Sequence, residues 1–171
     1  MCFVAEADAQ SGFVSMQKQY PRVAAAFRHK EDSLKMHAKA NGFVWPLKQV
    51  YFRAFKAEGK LEVWARDFVL DSFRLFKTYA ICAMSGTLGP KRISGDFQVP
   101  EGFYSINEFN PQSTYHLSLG LNYPNSSDKV LSDKQQPGND IYIHGACVTI
   151  GCLPLQNDPV EEVYVLAVLA K

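Results

Sequence analysis

The sequence predicts an α+β domain, mostly β, with a helical segment at each end. Three observations carry this. Residues 13–41 repeat apolar side chains at helical spacing, the period changes to two at residue 49, and residues 160–170 return to a helix-compatible run behind Asp158-Pro159. The chain has 171 residues, 47% of them apolar, and a formal net charge of +1. That length suits one domain with a full core, and that composition excludes disorder for the bulk. No stretch approaches the ~18 consecutive apolar residues of a transmembrane helix. The balanced charge gives no argument for nucleic acid or an anionic membrane as partner.

At the N-terminus, residues 1–9 show neither a basic region nor an apolar run of about 7–15 residues, so no signal peptide is visible. Pro21 suits the first turn of a helix from about Arg22. Val23, Ala26, Phe27, Leu34 and Ala38 form its expected buried stripe, and Asn41-Gly42 its stop. Arg28, His29, Lys30, Lys35 and Lys39 read as its solvated face.

Alternation marks a strand over 49–55, Glu58-Gly59-Lys60 a hairpin turn, and 61–65 the returning strand. Residues 72–84 read as one long strand. Residues 85–100 form a loop punctuated by Gly86, Gly89-Pro90, Gly95 and Pro100. Strands follow over 102–109 and 115–121, then a polar loop over 122–139, a short strand over 140–144 and the final helix. Both loops exceed the ordinary connection, and such loops are commonly functional. Plain surface excursion is the alternative.

Four cysteines, Cys2, Cys82, Cys147 and Cys152, are too few for a disulfide scaffold at this length. Cys2 is expected on a mobile end and Cys82, in an apolar run, as a buried thiol. The densest chemistry lies where a strand ends on His144-Gly145 and Gly151-Cys152 follows. An imidazole beside a thiol favours the thiolate, the nucleophilic form. Glycine before the cysteine permits unusual backbone angles and close approach of a substrate. Backbone N–H groups there suit an oxyanion. The spacing leaves three readings open: nucleophilic catalysis by Cys152 with His144 as base, a metal site of His144, Cys147 and Cys152, or a core histidine with two buried thiols. The metal reading lacks a familiar spacing.

Together the segments resemble the murein L,D-transpeptidase catalytic-domain (YkuD) family. The resemblance runs through Ser85-Gly86, Gly89-Pro90-Lys91-Arg92, Gly95-Asp96 and Pro100-Glu101-Gly102-Phe103-Tyr104. Asn110-Pro111, the segment from Tyr115-His116 to Pro124-Asn125, and the close from Ile143-His144-Gly145 to Ile150-Gly151-Cys152 are similar to the family's YafK-like branch. The resemblance implies a β-sandwich-like domain with a Cys-His cleft, occupying residues 49–171, with 1–48 as a helical segment packed on it. It implies acyl transfer on peptidoglycan stem peptides through a Cys152 thioester at the position-three diamino acid. The acceptor is an amine in a transpeptidase, or water in a carboxypeptidase or an amidase that releases wall-attached protein, including a lipoprotein. A non-catalytic peptidoglycan-binding module is the third class, disfavoured by the presence of both Cys152 and His144.

In this resemblance His144 matches the base, Gly145 the residue whose carbonyl orients it, and Gly151 with Cys152 the oxyanion amides. The chemistry needs no metal and no cofactor, and the family works in the periplasm or cell envelope. Ile150 stands where the broader family has a second histidine, and Leu153-Pro154 replaces a polar pair. Cys147 reads as a packing residue, the alternative being a disulfide to Cys152. Family members tend to continue into a further strand, so truncation at Lys171 is expected. For substrate contacts, Lys91 and Arg92 suit stem carboxylates. His116 is placed on a strand that could face the cleft, and Asn122 and Tyr123 open the second loop.

Overall fold

A computed structural model of the chain describes residues 5–171, so the expectation for Cys2 lies outside the described residues. The elements are α1 (Ala5–Gln17), α2 (Pro21–Ala40), β1 (Gln49–Phe55), β2 (Lys60–Arg66), β3 (Arg74–Ala80), β4 (Ile106–Asn110), β5 (Ser118–Leu121), α3 (Ser126–Leu131), β6 (Ile141–His144), β7 (Leu153–Pro154) and α4 (Asn157–Leu169). The fold is α+β, with a larger helical share than the periodicity indicates.

The first helical stretch divides at Pro21, which occupies the first turn of α2, where its missing N–H leaves no hydrogen bond unmade. Val23, Ala26, Phe27, Leu34 and Ala38 are all buried, the stripe that the spacing predicts. Asn41 caps the helix and Gly42 follows at φ 68°, the left-handed region glycine enters freely.

Strands β1, β2 and β3 form one sheet in that order, and β4, β5, β6 and β7 a second. β3 ends at Ala80, short of the predicted 84. Its continuation leaves the ladder: the Cys82 amide donates to the Pro154 carbonyl at 3.0 Å. β4 pairs antiparallel with β5 across a bulge between Ile106 and Glu108, and β5 antiparallel with β6, Ser118 opposite His144. β6 then pairs parallel with the two-residue β7, Ile143 beside Leu153 and His144 beside Pro154. Helix α3 lies inside the polar loop. Its start is fixed by a capping box in which the Asn125 side chain accepts from the Asp128 amide and Asp128 accepts from that of Asn125.

The chain divides into two compact units. One holds the described residues up to Arg53 with 62–78 and 161–171; the other holds 54–61 and 79–160. Leu117, Leu119, Ile141, Ile143, Leu153 and Leu155 are buried in the second unit, and each contributes about 2 kcal/mol of apolar burial. Every candidate site residue belongs to this second unit. Among the described residues no helix is long and apolar enough to cross a membrane.

Candidate active site

Strand alternation builds the site. In β6, Ile141 and Ile143 are buried apolar residues, so Tyr142 and His144 share the opposite face. The parallel register sets Ile143 beside Leu153 and His144 beside Pro154, which brings Cys152, one residue earlier, next to Tyr142. Cys152, immediately before β7, therefore falls diagonally across from His144, two positions along the paired backbones. The Tyr142 amide donates to the Cys152 sulfur.

His144 is buried, and its Nδ1 lies 2.6 Å from the Gly145 carbonyl oxygen. With Nδ1–H donating there, Nε2 carries the lone pair. The Tyr115 ring packs on the imidazole, centroids 4.7 Å apart and tilted by 31°. Gly145 is glycine because the space is taken: a Cβ would stand 2.7 Å from both Asn157 Oδ1 and the Tyr115 carbonyl oxygen. The next amide, Ala146, donates to Asn157 Oδ1 at 3.0 Å and adopts φ 61°. The N-terminus of α4 thus holds the turn that leaves β6.

At the other end Gly151 has φ 137°, and a Cβ there would lie 3.1 Å from the Gln98 carbonyl oxygen. Its amide donates to Thr149 Oγ1 at 3.1 Å, and that hydroxyl donates to the Cys152 carbonyl at 2.8 Å. An oxyanion drawn to the Gly151 amide has to displace the Thr149 hydroxyl.

Burial pushes the Cys152 thiol above its ordinary value, opposed by the Tyr142 amide and the Lys91 cation; the Asp140 carboxylate adds to the rise. Burial also holds His144 below its ordinary value, partly offset by the Gly145 carbonyl. At neutral pH Cys152 therefore rests as a thiol and His144 as a neutral imidazole.

Two readings of the cysteines are corrected. Cys82 is not a buried thiol and Cys147 is not a packing residue: they form a disulfide, Cα atoms 5.5 Å apart, and Cys152 is free. The Cys82 amide bond to Pro154 brings its strand beside β7 and within reach of Cys147. This pairing also removes the metal site, since Cys147 has no thiolate to give. Among the described residues no cluster of three metal-binding side chains occurs.

The residues expected to meet substrate are placed as follows. Lys91 is buried, its Nζ 2.5 Å from Asp96 Oδ1 and 3.1 Å from the Ile93 carbonyl. Arg92 is half-buried, its amide donating to Asp96. His116 is not on a strand but at a turn before β5, with φ 71°. The Asn122 side chain accepts from the Ser105 amide, and Tyr123 is buried with its hydroxyl donating to the Pro137 carbonyl. Tyr115, Thr149 and Asn157 touch the site and were not singled out by sequence reasoning. The Asn157–Asp158–Pro159 helix start was a signal for the last, while Tyr115 was overshadowed by the histidine beside it.

The fold and this pair define the class: an α+β domain with a histidine at the end of β6 and a free cysteine immediately before the paired strand β7. The pattern of the YkuD family, the L,D-transpeptidase catalytic domain, matches residues 50–169. The chain is 37% identical over 117 residues to YafK of Escherichia coli K12, a protein named provisionally as an L,D-transpeptidase. That match covers 67% of this chain and 46% of YafK. Among solved structures, the helical cell shape determining protein Pgp2 of Campylobacter jejuni (K307A mutant) aligns with TM-score 0.55 and 23% identity, over 78% of this chain and 50% of that one. Bd1075 of Bdellovibrio bacteriovorus aligns with TM-score 0.51 and 21% identity, over 72% and 45%. The chain belongs to the YkuD L,D-transpeptidase catalytic-domain family. It spans about half the length of the relatives it matches.

Proposed function

We propose that this domain carries out cysteine-dependent acyl transfer on peptidoglycan stem peptides, outside the cytoplasmic membrane. The observation that supports the reading most directly is the β6–β7 register, which sets the strand that Cys152 leads into beside the strand that ends on His144. His144 Nε2 takes the proton of the Cys152 thiol, and the sulfur attacks the carbonyl carbon of the position-three diamino acid. The tetrahedral oxyanion draws on the backbone N–H of Cys152 and, as the Thr149 hydroxyl is displaced, on that of Gly151. Its collapse breaks the amide, and His144 returns the proton to the departing D-alanine amine. The thioester then passes to an amine or to water.

The test is a product analysis by mass spectrometry, with disaccharide-tetrapeptide and cross-linked muropeptides incubated with the protein and with Cys152→Ala. Loss of D-alanine with new 3–3 dimers, absent in the variant, is the expected result. Tripeptides without dimers assign water as the acceptor. Turnover retained by Cys152→Ala overturns the reading.

A further inference from the structure

Lys91 is 4% exposed, although lysine on a loop ordinarily extends its ammonium into water. Its stem fills the space beside Gly138, where a Cβ would overlap Lys91 Cε. Its partner Asp96 is saturated. Oδ1 accepts from Lys91 and from the Gln98 amide at 3.0 Å, and Oδ2 from the amides of Arg92 at 2.8 Å and Ile93 at 3.0 Å. These bonds hold the Asp96 carboxyl at about 2, against the burial that raises it.

The chain of contacts continues to the site. The Gln98 side chain is clamped by the amide and hydroxyl of Thr87, at 3.0 and 2.9 Å. Its carbonyl packs so closely on Gly151 that an added Cβ would stand 3.1 Å away. Cation, carboxylate, Gln98 backbone and Gly151 turn are in unbroken contact, ending one residue before Cys152.

We propose that Lys91 is a positioning residue for Cys152: a buried cation that, through Asp96 and Gln98, fixes the Gly151 turn on which the cysteine is carried. The inference rests on Cys152 as the reactive thiol, not on the identity of the substrate. The other groups that bear on this sulfur are Asp140 and the Tyr142 backbone, with His144 at the end of the same strand as Tyr142. Asp96 accompanies Lys91 and offsets its field.

The test needs no substrate. Alkylation of Cys152 by iodoacetamide is followed against pH in the full oxidised chain, with peptide mapping to separate Cys152 from Cys2. Lys91→Met is expected to raise the midpoint of the profile by about one pH unit. Asp96→Asn, which leaves the cation without its counter-charge, is expected to lower it, and Lys91→Met/Asp96→Asn to return it near the parent. A purely structural role moves both single variants the same way, and that result, or no movement, overturns the proposal. If Lys91→Met does not fold, the direction of the Asp96→Asn shift decides: downward supports, unchanged or upward refutes. Failure of the muropeptide assay with these opposed shifts intact overturns the substrate reading alone.

Discussion

Removing the Cys82–Cys147 disulfide perturbs the segment that carries both His144 and Cys152, because Cys147 sits between them. The bridge closes 65 residues of chain. Loop-closure entropy for that length is about 14 cal/mol/K, which destabilises the reduced protein by about 4 kcal/mol at 25 °C. Unfolding entropy near the midpoint is about 2.1 cal/mol/K per residue, or about 360 cal/mol/K for this chain, so the melting temperature should fall by about 12 °C. Calorimetry with and without a phosphine reductant measures this directly. The Cys82→Ser/Cys147→Ser variant, scanned without reductant, should melt with the reduced parent. Cys152→Ser should melt with the oxidised parent, which separates the bridge from the free thiol. A reduced protein or double variant within about 3 °C of the oxidised parent refutes the reasoning.

Other expectations follow from the site's geometry. Gly145→Ala drives a Cβ to 2.7 Å from Asn157 Oδ1 and the Tyr115 carbonyl, so urea unfolding should show a loss of about 1–3 kcal/mol; an unchanged transition would falsify the packing argument. His144 is held below its ordinary 6.5 by burial. Its contribution to stability is complete above 6.5 and is lost as pH falls through the lowered value. An NMR titration with a midpoint at or above 6.5 contradicts this. Asp96 sits at about 2 instead of 3.8, a difference of about 2 kcal/mol that is present above pH 3.8 and disappears as pH falls toward 2. Asp96→Asn should therefore be less stable than the parent at pH 7 by about that amount. The gap should close near pH 2, and a gap independent of pH rejects the assignment.

Local periodicity made the regular elements legible. The α2 stripe, the break at Pro21, the turn at Gly59 and the positions of β1, β2 and β6 follow from spacing and turn chemistry alone. Helix α3 was hidden because its six residues are mostly polar and only the Asn125–Asp128 capping box announces it. The two residues of β7 are set by pairing with β6, a long-range contact that no local pattern encodes. The same holds for the Cys82–Cys147 bridge, whose partners meet only because residue 82 leaves its strand to bond Pro154. The burial of Lys91 was not legible for a related reason. A lysine in a Gly/Pro-rich loop reads as solvated, and the carboxylate that buries it is visible only once Asp96 has gathered three backbone amides around itself.

The protonated resting state of Cys152 bears on how a free thiol persists in the same short segment as a disulfide. Exchange requires a thiolate to attack a disulfide sulfur, and Cys147 is exposed. A thiol whose pKa is raised by burial presents little thiolate at neutral pH, so attack on the Cys82–Cys147 bond is slow. For the proposed acyl transfer the penalty is smaller. Nucleophilicity rises with pKa at a Brønsted slope of about 0.4–0.5, which recovers nearly half of the logarithmic loss in thiolate fraction. In the proposed reaction His144 supplies the remainder by taking the proton as the sulfur attacks a carbonyl held at the site, an advantage that the disulfide, fixed by its own cross-link, does not share. Burial thus discriminates between two electrophiles, and the Lys91 cation limits how far the thiol is raised.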